Sequence, residues 1–228
     1  MSRKGSSTRF APLWDDSLIP SEGVLFVMGT DTGVGKTKLV ESLIRSAPAR
    51  ARLRIVKAAQ TGVGEPGEER DLDRYLRAGA SHDEVWEGYS FARPLDPMTA
   101  ARFEGRSVDP DYLLKRIRAF HDEGYRVIVE GSGGILSPFF SDGSGILSIA
   151  SRLDRPLSVL LVSHPHLGTL STTLAAVRIL GEEGLSPRLL VLCTRPAVRD
   201  KASEVNPGTL RTLLFPLTVI QLSPEPRD

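Results

Sequence analysis

The sequence predicts one α/β domain with a mostly parallel central sheet and helices on both faces. Short runs rich in β-branched residues and leucine, such as residues 24–28 and 158–162, alternate with stretches of helical character. This alternation is typical of parallel strands joined by crossover helices. A glycine-rich segment follows the first run directly, and an acid followed by glycines ends a later one. In such sheets, ligands bind at the carboxyl ends of the strands.

Turn signals and hydrophobic periodicity place the individual elements. A helix at residues 36–46 follows the glycine-rich segment and stops before Pro48. Asp109 before Pro110 indicates an N-cap, and Gly124 indicates the end of that helix near residue 123. The expected strands are residues 24–28, 54–59, 125–129, 158–162, 189–193 and 217–222. The other expected helices are residues 71–78 and 167–183, and residues 62–70 are expected to form an exposed loop.

Composition excludes several classes of protein. Of 228 residues, 40% are hydrophobic and 25% charged, which excludes a disordered chain or a coiled coil. The 29 basic and 28 acidic side chains leave a net charge of +1, so we expect neither nucleic acid nor an anionic membrane as a partner. No apolar run approaches the roughly 18 residues of a membrane span. We expect a polar N-terminal tail at residues 1–22 and a single domain at residues 23–228.

The single cysteine excludes an internal disulfide and a multi-cysteine metal site. Cys193 follows Leu190, Val191 and Leu192, so we expect a buried structural thiol rather than a reactive one. An unpaired thiol is compatible with a reducing compartment, which predicts a cytoplasmic protein.

The most specific segment is residues 29–37, G-T-D-T-G-V-G-K-T, between the first strand and the first helix. Glycines allow backbone N–H groups to converge on phosphate oxygens, and the helix start adds partial positive charge. Lys36 can reach the β and γ phosphates, and the Thr37 hydroxyl is a candidate Mg²⁺ ligand. The segment is a variant P-loop because Thr30 occupies the slot of the first glycine. It predicts a P-loop NTPase-type domain whose nucleotide-binding residues here are Gly33, Val34, Gly35, Lys36, Thr37 and Lys38.

A carboxylate at the end of the strand at residues 125–129 is the second candidate. Glu130 precedes Gly131, Ser132 and Gly133. An acid in this position can hold Mg²⁺ directly or through water, while the glycines permit close backbone approach. Its alternative role is to cap the following turn.

The variant loop resembles the signature loop of dethiobiotin synthetases, and four further segments resemble that family. They are residues 57–62 (K-A-A-Q-T-G), 89–105, 127–138 (V-I-V-E-G-S-G-G-I-L-S-P) and 166–173 (H-L-G-T-L-S-T-T). We expect residues 89–105 to matter mainly for architecture. The departures are Ala58 for a proline, Ser171 for an asparagine, and the absence near residues 191–196 of the asparagine that reads adenine, which leaves the base preference open.

The resemblance implies roles for individual residues. Lys57 takes the place of the catalytic lysine and acts with Lys36, although a strand-end lysine is on its own more often solvated. An acid at Asp71, with Asp73 as a rival, would help hold metal and nucleotide, so the implied metal ligands are Thr37, Asp71 and Glu130. The implied nucleotide contacts also include Gly131, Ser132 and Gly133. The implied substrate contacts are Thr32, Thr61, Gly168, Thr169 and Ser171, the last three serving the partner subunit.

The implied reaction is ATP-dependent ring closure of 7,8-diaminopelargonate with CO₂ to dethiobiotin, with Mg²⁺ as cofactor and a homodimer as the assembly.

One alternative function is that of a nucleotide-switched ATPase of the partitioning type. Its relatives carry a lysine five residues before the P-loop lysine, where this chain has Asp31. A second is a cobyrinic acid amidotransferase-like synthetase, whose glutaminase domain we do not expect here. A third is a binding protein that has lost its chemistry.

Overall fold

The computed structural model describes residues 23–48, 51–65, 67, 69–194 and 200–222, and residues 1–22, expected to form a tail, lie outside them. Seven strands form one sheet in the order β3-β2-β4-β1-β5-β6-β7, and every pairing is parallel. The strands are β1 (Val24–Gly29), β2 (Leu53–Thr61), β3 (Val85–Phe91), β4 (Arg126–Glu130), β5 (Leu157–Ser163), β6 (Pro187–Cys193) and β7 (Thr218–Leu222). The predicted mostly parallel sheet is thus confirmed and is parallel throughout.

Seven helices of the described residues connect these strands. They are α1 (Lys36–Ser46), α2 (Asp71–Arg77), α3 (Pro97–Phe103), α4 (Pro110–Asp122), α5 (Leu147–Ser151), α6 (Thr169–Glu182) and α7 (Ala202–Leu213). The predicted cap of α4 is confirmed, because the Asp109 carboxylate accepts from the backbone N–H groups of Asp111 and Tyr112 at 2.8 and 3.2 Å. Helix α6 begins two residues later than expected, since Gly168 has a φ of 92°.

The sheet separates two apolar clusters, as expected for helices on both faces. Along β1, Leu25 and Val27 belong to one cluster and Phe26 and Met28 to the other, because successive strand side chains point to opposite faces. Helices α1 and α2 contribute to the first cluster, and α3 to α7 contribute to the second. Among the described residues, no helix is long and apolar enough to cross a membrane.

Four elements were absent from the prediction, and each lacks a clear periodic pattern. Strand β3 contains Glu87 and Gly88 and lies at the sheet edge. Glycine is required there, because a Cβ on Gly88 would lie 2.5 Å from the Ala58 carbonyl oxygen. Helices α3 and α5 have seven and five residues, and α7 contains Pro207, which breaks a helical pattern.

Candidate active site

The glycine-rich loop lies between β1 and α1, where the motif predicts it. Gly33 and Gly35 have φ angles of 68° and 108°, a region that favours glycine. A Cβ on Gly35 would lie 2.5 Å from the Cβ of Cys193 and 2.7 Å from its Sγ. The loop therefore needs glycine here for both conformation and space. Cys193 is buried as expected, and burial raises the pKa of its thiol to about 11, which makes it unreactive.

A cleft of about 490 Å³ opens beside this loop at the carboxyl ends of the strands. The loop forms one wall, the end of β2 and the start of α2 form another, and residues at the ends of β4 and β6 complete it. This is the position at which parallel α/β sheets bind ligands.

Lys36 connects the loop to the segment that follows β4. Its Nζ donates to the carbonyl of Asp31 at 3.0 Å and to the carbonyl of Gly133 at 2.5 Å. Burial and, secondarily, the nearby charge of Lys57 lower the pKa of Lys36 to about 8. A buried ammonium at the start of α1 is thus held by backbone carbonyls and lines the cleft.

Lys57 and Glu130 form the centre of the site. They are opposite each other in the register of β2 and β4, and Lys57 Nζ lies 2.6 Å from Glu130 Oε1 and 2.6 Å from Asp71 Oδ2. Glu130 is fully buried and Lys57 is 4% exposed. Although burial lowers the pKa of Lys57, the charges of Glu130 and Asp71 outweigh it and raise the pKa above its ordinary value. The ammonium therefore stays charged between two carboxylates.

The hydroxyl of Thr37 adds a third oxygen beside the carboxylates of Glu130 and Asp71. This hydroxyl donates to Glu130 Oε1 at 2.7 Å. A hydroxyl and two carboxylate oxygens are the donors that Mg²⁺ prefers, with the remaining positions taken by phosphates and water. Within the described ranges no cluster of three His, Cys, Asp or Glu side chains could hold a metal ion alone. The donor set at Thr37, Asp71 and Glu130 thus fits a magnesium ion shared with a nucleotide.

The position at which α2 begins determines whether Asp71 or Asp73 lies in the site. The backbone N–H of Asp71 donates to Gln60 Oε1 at 2.9 Å, which fixes the start of the helix. Asp71 lines the cleft and pairs with Lys57, whereas Asp73 is exposed. The structure therefore places Asp71, and not Asp73, beside the P-loop.

Comparisons with known proteins identify the family of this chain. A family model described as an AAA domain matches residues 23–214. An ATP-dependent dethiobiotin synthetase BioD of Anaeromyxobacter sp. (strain Fw109-5) is 39% identical over 82% of this chain and 83% of its own length. The chain belongs to the ATP-dependent dethiobiotin synthetase family. Another member, from Streptomyces coelicolor, is 40% identical over 80% of this chain and 76% of its own length.

Solved structures support the fold of this dethiobiotin synthetase family member and nothing more. The MinC:MinD cell division protein complex of Aquifex aeolicus gives a TM-score of 0.53 at 16% identity, covering 90% of this chain and 82% of that one. A ParA family ATPase from Chlorobium tepidum gives a TM-score of 0.51 at 14% identity, covering 90% and 85%. Both likenesses are consistent with the predicted P-loop NTPase-type domain.

Most residues that the sequence assigned to the site lie together. The cleft is lined by the predicted residues Thr32, Gly33, Val34, Gly35, Lys36, Thr37, Lys38, Lys57, Thr61, Asp71, Glu130, Ser132 and Gly133. Gly131 does not line it; a Cβ there would lie 2.9 Å from Ile146 Cγ2. A glycine is therefore needed here for packing against Ile146, and the contact of Gly131 with nucleotide stays a prediction.

The segment from Gly168 to Ser171 lies outside the cleft of its own protomer. Thr169 is fully buried, and its hydroxyl shares hydrogen bonds with those of Ser163 and Thr173 at 2.9 and 3.1 Å. Its side chain therefore supports the end of β5, and the contact of Thr169 with a partner's substrate stays a prediction. Gly168 and Ser171 are exposed, and their contact with a partner's substrate stays a prediction.

Several cleft residues were missed by the sequence analysis. Gln60, Glu69, Arg74 and Thr194 also line the cleft, and Tyr75 contacts Glu130 from behind it. Arg74 Nε donates to Glu41 Oε1 at 2.7 Å, which joins α2 to α1. One signal was available, because helical spacing of three and four residues from Asp71 places Arg74 and Tyr75 on its face.

Replacing Lys57 with methionine should destabilise the protein. The variant Lys57→Met removes the ammonium and leaves two carboxylates facing each other in a buried site, so we expect the free energy of unfolding to fall by about 3 kcal/mol. Urea unfolding followed by circular dichroism measures this. The control Lys115→Met changes an exposed lysine on α4 and should stay within about 0.5 kcal/mol. Equal unfolding midpoints for wild type and Lys57→Met would contradict the buried ion cluster.

Proposed function

We propose that this family member joins CO₂ to 7,8-diaminopelargonate and closes the ring of dethiobiotin, with ATP as co-substrate. The observation that carries the proposal is the meeting of the P-loop residues Lys36 and Thr37 with Lys57, Asp71 and Glu130 in one cleft. A site that binds a triphosphate is common to many NTPases and does not by itself indicate this reaction. A second buried lysine between two acids adds a cation beside the position of the γ-phosphate, as a ligase that activates an acid by phosphorylation requires.

The reaction has three covalent steps. A neutral amine of the substrate attacks CO₂ and loses a proton, which gives a carbamate. A carbamate oxygen then attacks the γ-phosphorus of ATP and releases ADP, which gives a carbamic-phosphoric anhydride. The neighbouring amine attacks the carbamate carbon, loses a proton and expels phosphate, which closes the cyclic urea. Each step develops negative charge on oxygen, so positioning and charge neutralisation dominate catalysis.

The residues of the cleft divide this work. The loop N–H groups and Lys36 bind the phosphates, while Lys57 stabilises the carbamate and γ-phosphate oxygens. Thr37, Asp71 and Glu130 would hold Mg²⁺, which would neutralise phosphate charge. Thr32 and Thr61 line the cleft and offer hydroxyls to the substrate. The chemistry needs all of them around one phosphate, and their common cleft supports this.

The assembly that we propose is a homodimer. Gly168 and Ser171 do not line the cleft of their own protomer, as a contribution to a partner's substrate site requires. Next to them, Leu167 is 82% exposed, an apolar side chain that an interface would cover. Sedimentation velocity at assay concentration should show a dimer, and a monomer would contradict the proposed homodimer.

The buried free thiol of Cys193 supports a cytoplasmic location.

A nucleotide-switched ATPase is less well supported. Proteins of that type carry a lysine at the position of Asp31. Here the Asp31 carboxylate accepts from the backbone N–H of Thr32 at 2.6 Å, and its carbonyl accepts from Lys36. This side chain therefore stabilises its own loop.

The decisive experiment incubates the protein with Mg²⁺, ATP, bicarbonate and diaminopelargonate. We expect phosphate and dethiobiotin to form in equal amounts, because one phosphate leaves for each ring closed. A coupled phosphate assay and mass spectrometry follow the two products. Omitting either bicarbonate or the diamine serves as the control and should abolish phosphate release. ATP hydrolysis at the same rate without bicarbonate and without the diamine would favour the switch ATPase.

The catalytic role of Lys57 makes a separate prediction. In Lys57→Met, dethiobiotin formation should fall roughly 100-fold, since one charge-stabilising donor is lost, while nucleotide still binds. Turnover is measured below the unfolding temperature of the variant, and binding is measured by calorimetry. Lys115→Met should keep wild-type turnover. Near-normal turnover in a folded Lys57→Met protein would contradict the role.

A further inference from the structure

Tyr75 is a buried side chain that touches the centre of the site without lining the cleft. It belongs to α2, is fully buried and is among the largest side chains of the core. Its hydroxyl donates to Glu130 Oε2. A hydroxyl placed in an apolar core needs a partner, and here that partner is a carboxylate that is itself fully buried.

The two oxygens of Glu130 have different surroundings. Oε1 accepts from Thr37 at 2.7 Å and from Lys57 at 2.6 Å, and both donors line the cleft. Oε2 accepts from Tyr75 on the side of the α1 and α2 core. The hydroxyl therefore anchors one oxygen and leaves the other turned toward the cleft. Hydrogen bonds of this kind orient metal-binding carboxylates.

Helix α2 couples this anchor to the second acid. Asp71 and Tyr75 are four residues apart, so they lie one turn apart on the same face. Asp71 Oδ2 lies 2.6 Å from Lys57 Nζ while Tyr75 reaches Glu130. The helix thus contacts both members of the ion pair between β2 and β4, so one element carries the Asp71 carboxylate and holds that of Glu130.

Building on the proposed function, we propose that Tyr75 is a positioning residue for Mg²⁺-bound ATP. Its hydroxyl holds Glu130 Oε2 so that Oε1 is presented with the oxygens of Thr37 and Asp71 to the cation. Tyr75 does not touch the nucleotide in this scheme. It acts through Glu130, and its loss should therefore affect nucleotide binding only when magnesium is present.

The test compares Tyr75→Phe with the wild type by calorimetry, in the full chain and without diamine or bicarbonate. The substitution removes the donor and keeps the ring. We expect the dissociation constant for ATP with Mg²⁺ to rise roughly tenfold, and that for ATP in EDTA to stay unchanged. The matched control is Tyr112→Phe, which removes the hydroxyl of a tyrosine that is 43% exposed on α4 and should change neither constant.

The outcomes separate the inference from the function on which it rests. A wild-type protein that binds Mg²⁺-ATP no better than metal-free ATP would contradict the proposed function. With a normal wild type, a Tyr75→Phe variant that binds Mg²⁺-ATP normally, or that loses both forms equally, overturns the positioning role. If Tyr75→Phe does not fold, Tyr75→Leu is the second variant without the hydroxyl. Failure of both to fold would show that the hydroxyl serves stability and would also overturn the proposal.

Discussion

A buried ammonium between two carboxylates is the interaction on which the site depends. Glu130 alone at the end of β4 would cost several kcal/mol in desolvation. The arrangement is stable because Lys57 lies opposite it in the strand register and within 2.6 Å of both Glu130 and Asp71. The register of these strands therefore determines whether the ion pair can form, because a shift of β2 by one residue would turn Lys57 to the other face of the sheet. The pairing of β2 with β4 and the charge pattern of the cleft are therefore one constraint.

The P-loop depends on the same sheet in a different way. Its conformation requires glycine at residue 35, and the space beside Gly35 is filled by the Cys193 side chain at the end of β6. On its other side, Lys36 donates to the carbonyl of Gly133 after β4. The loop is thus held between the end of β6 and the segment after β4, two strands that are not neighbours in the sheet. Such contacts preorganise an anion-binding loop, and preorganisation lowers the entropic cost of binding.

Sequence alone could predict the parts of the site that are contiguous in the chain. Residues 29–37 carry their loop, lysine and hydroxyl in one motif, and Glu130 is marked by the glycines after it. Tyr75 could not be found so easily, because its neighbours on α2 are ordinary helix residues and its partner is 55 residues away. The hydroxyl contacts of Thr169 with Ser163, at the end of β5, and with Thr173 could not be predicted from its motif either. Strand β3 was missed because an edge strand with Glu87 and Gly88 lacks clear alternation.

Overall charge explains why the phosphate site must be assembled locally. With a net charge of +1, the chain exerts little long-range attraction on a triphosphate. Within the cleft, the ammonium of Lys57 is paired with the carboxylates of Asp71 and Glu130. Lys36 differs, because its described partners are neutral backbone carbonyls. Its charge and the N–H groups at the start of α1 therefore attract a phosphate. The neighbouring cluster of Lys57, Asp71 and Glu130 supplies carboxylate oxygens for a cation. Groups that bind the anion and groups that bind the cation therefore line the same cleft.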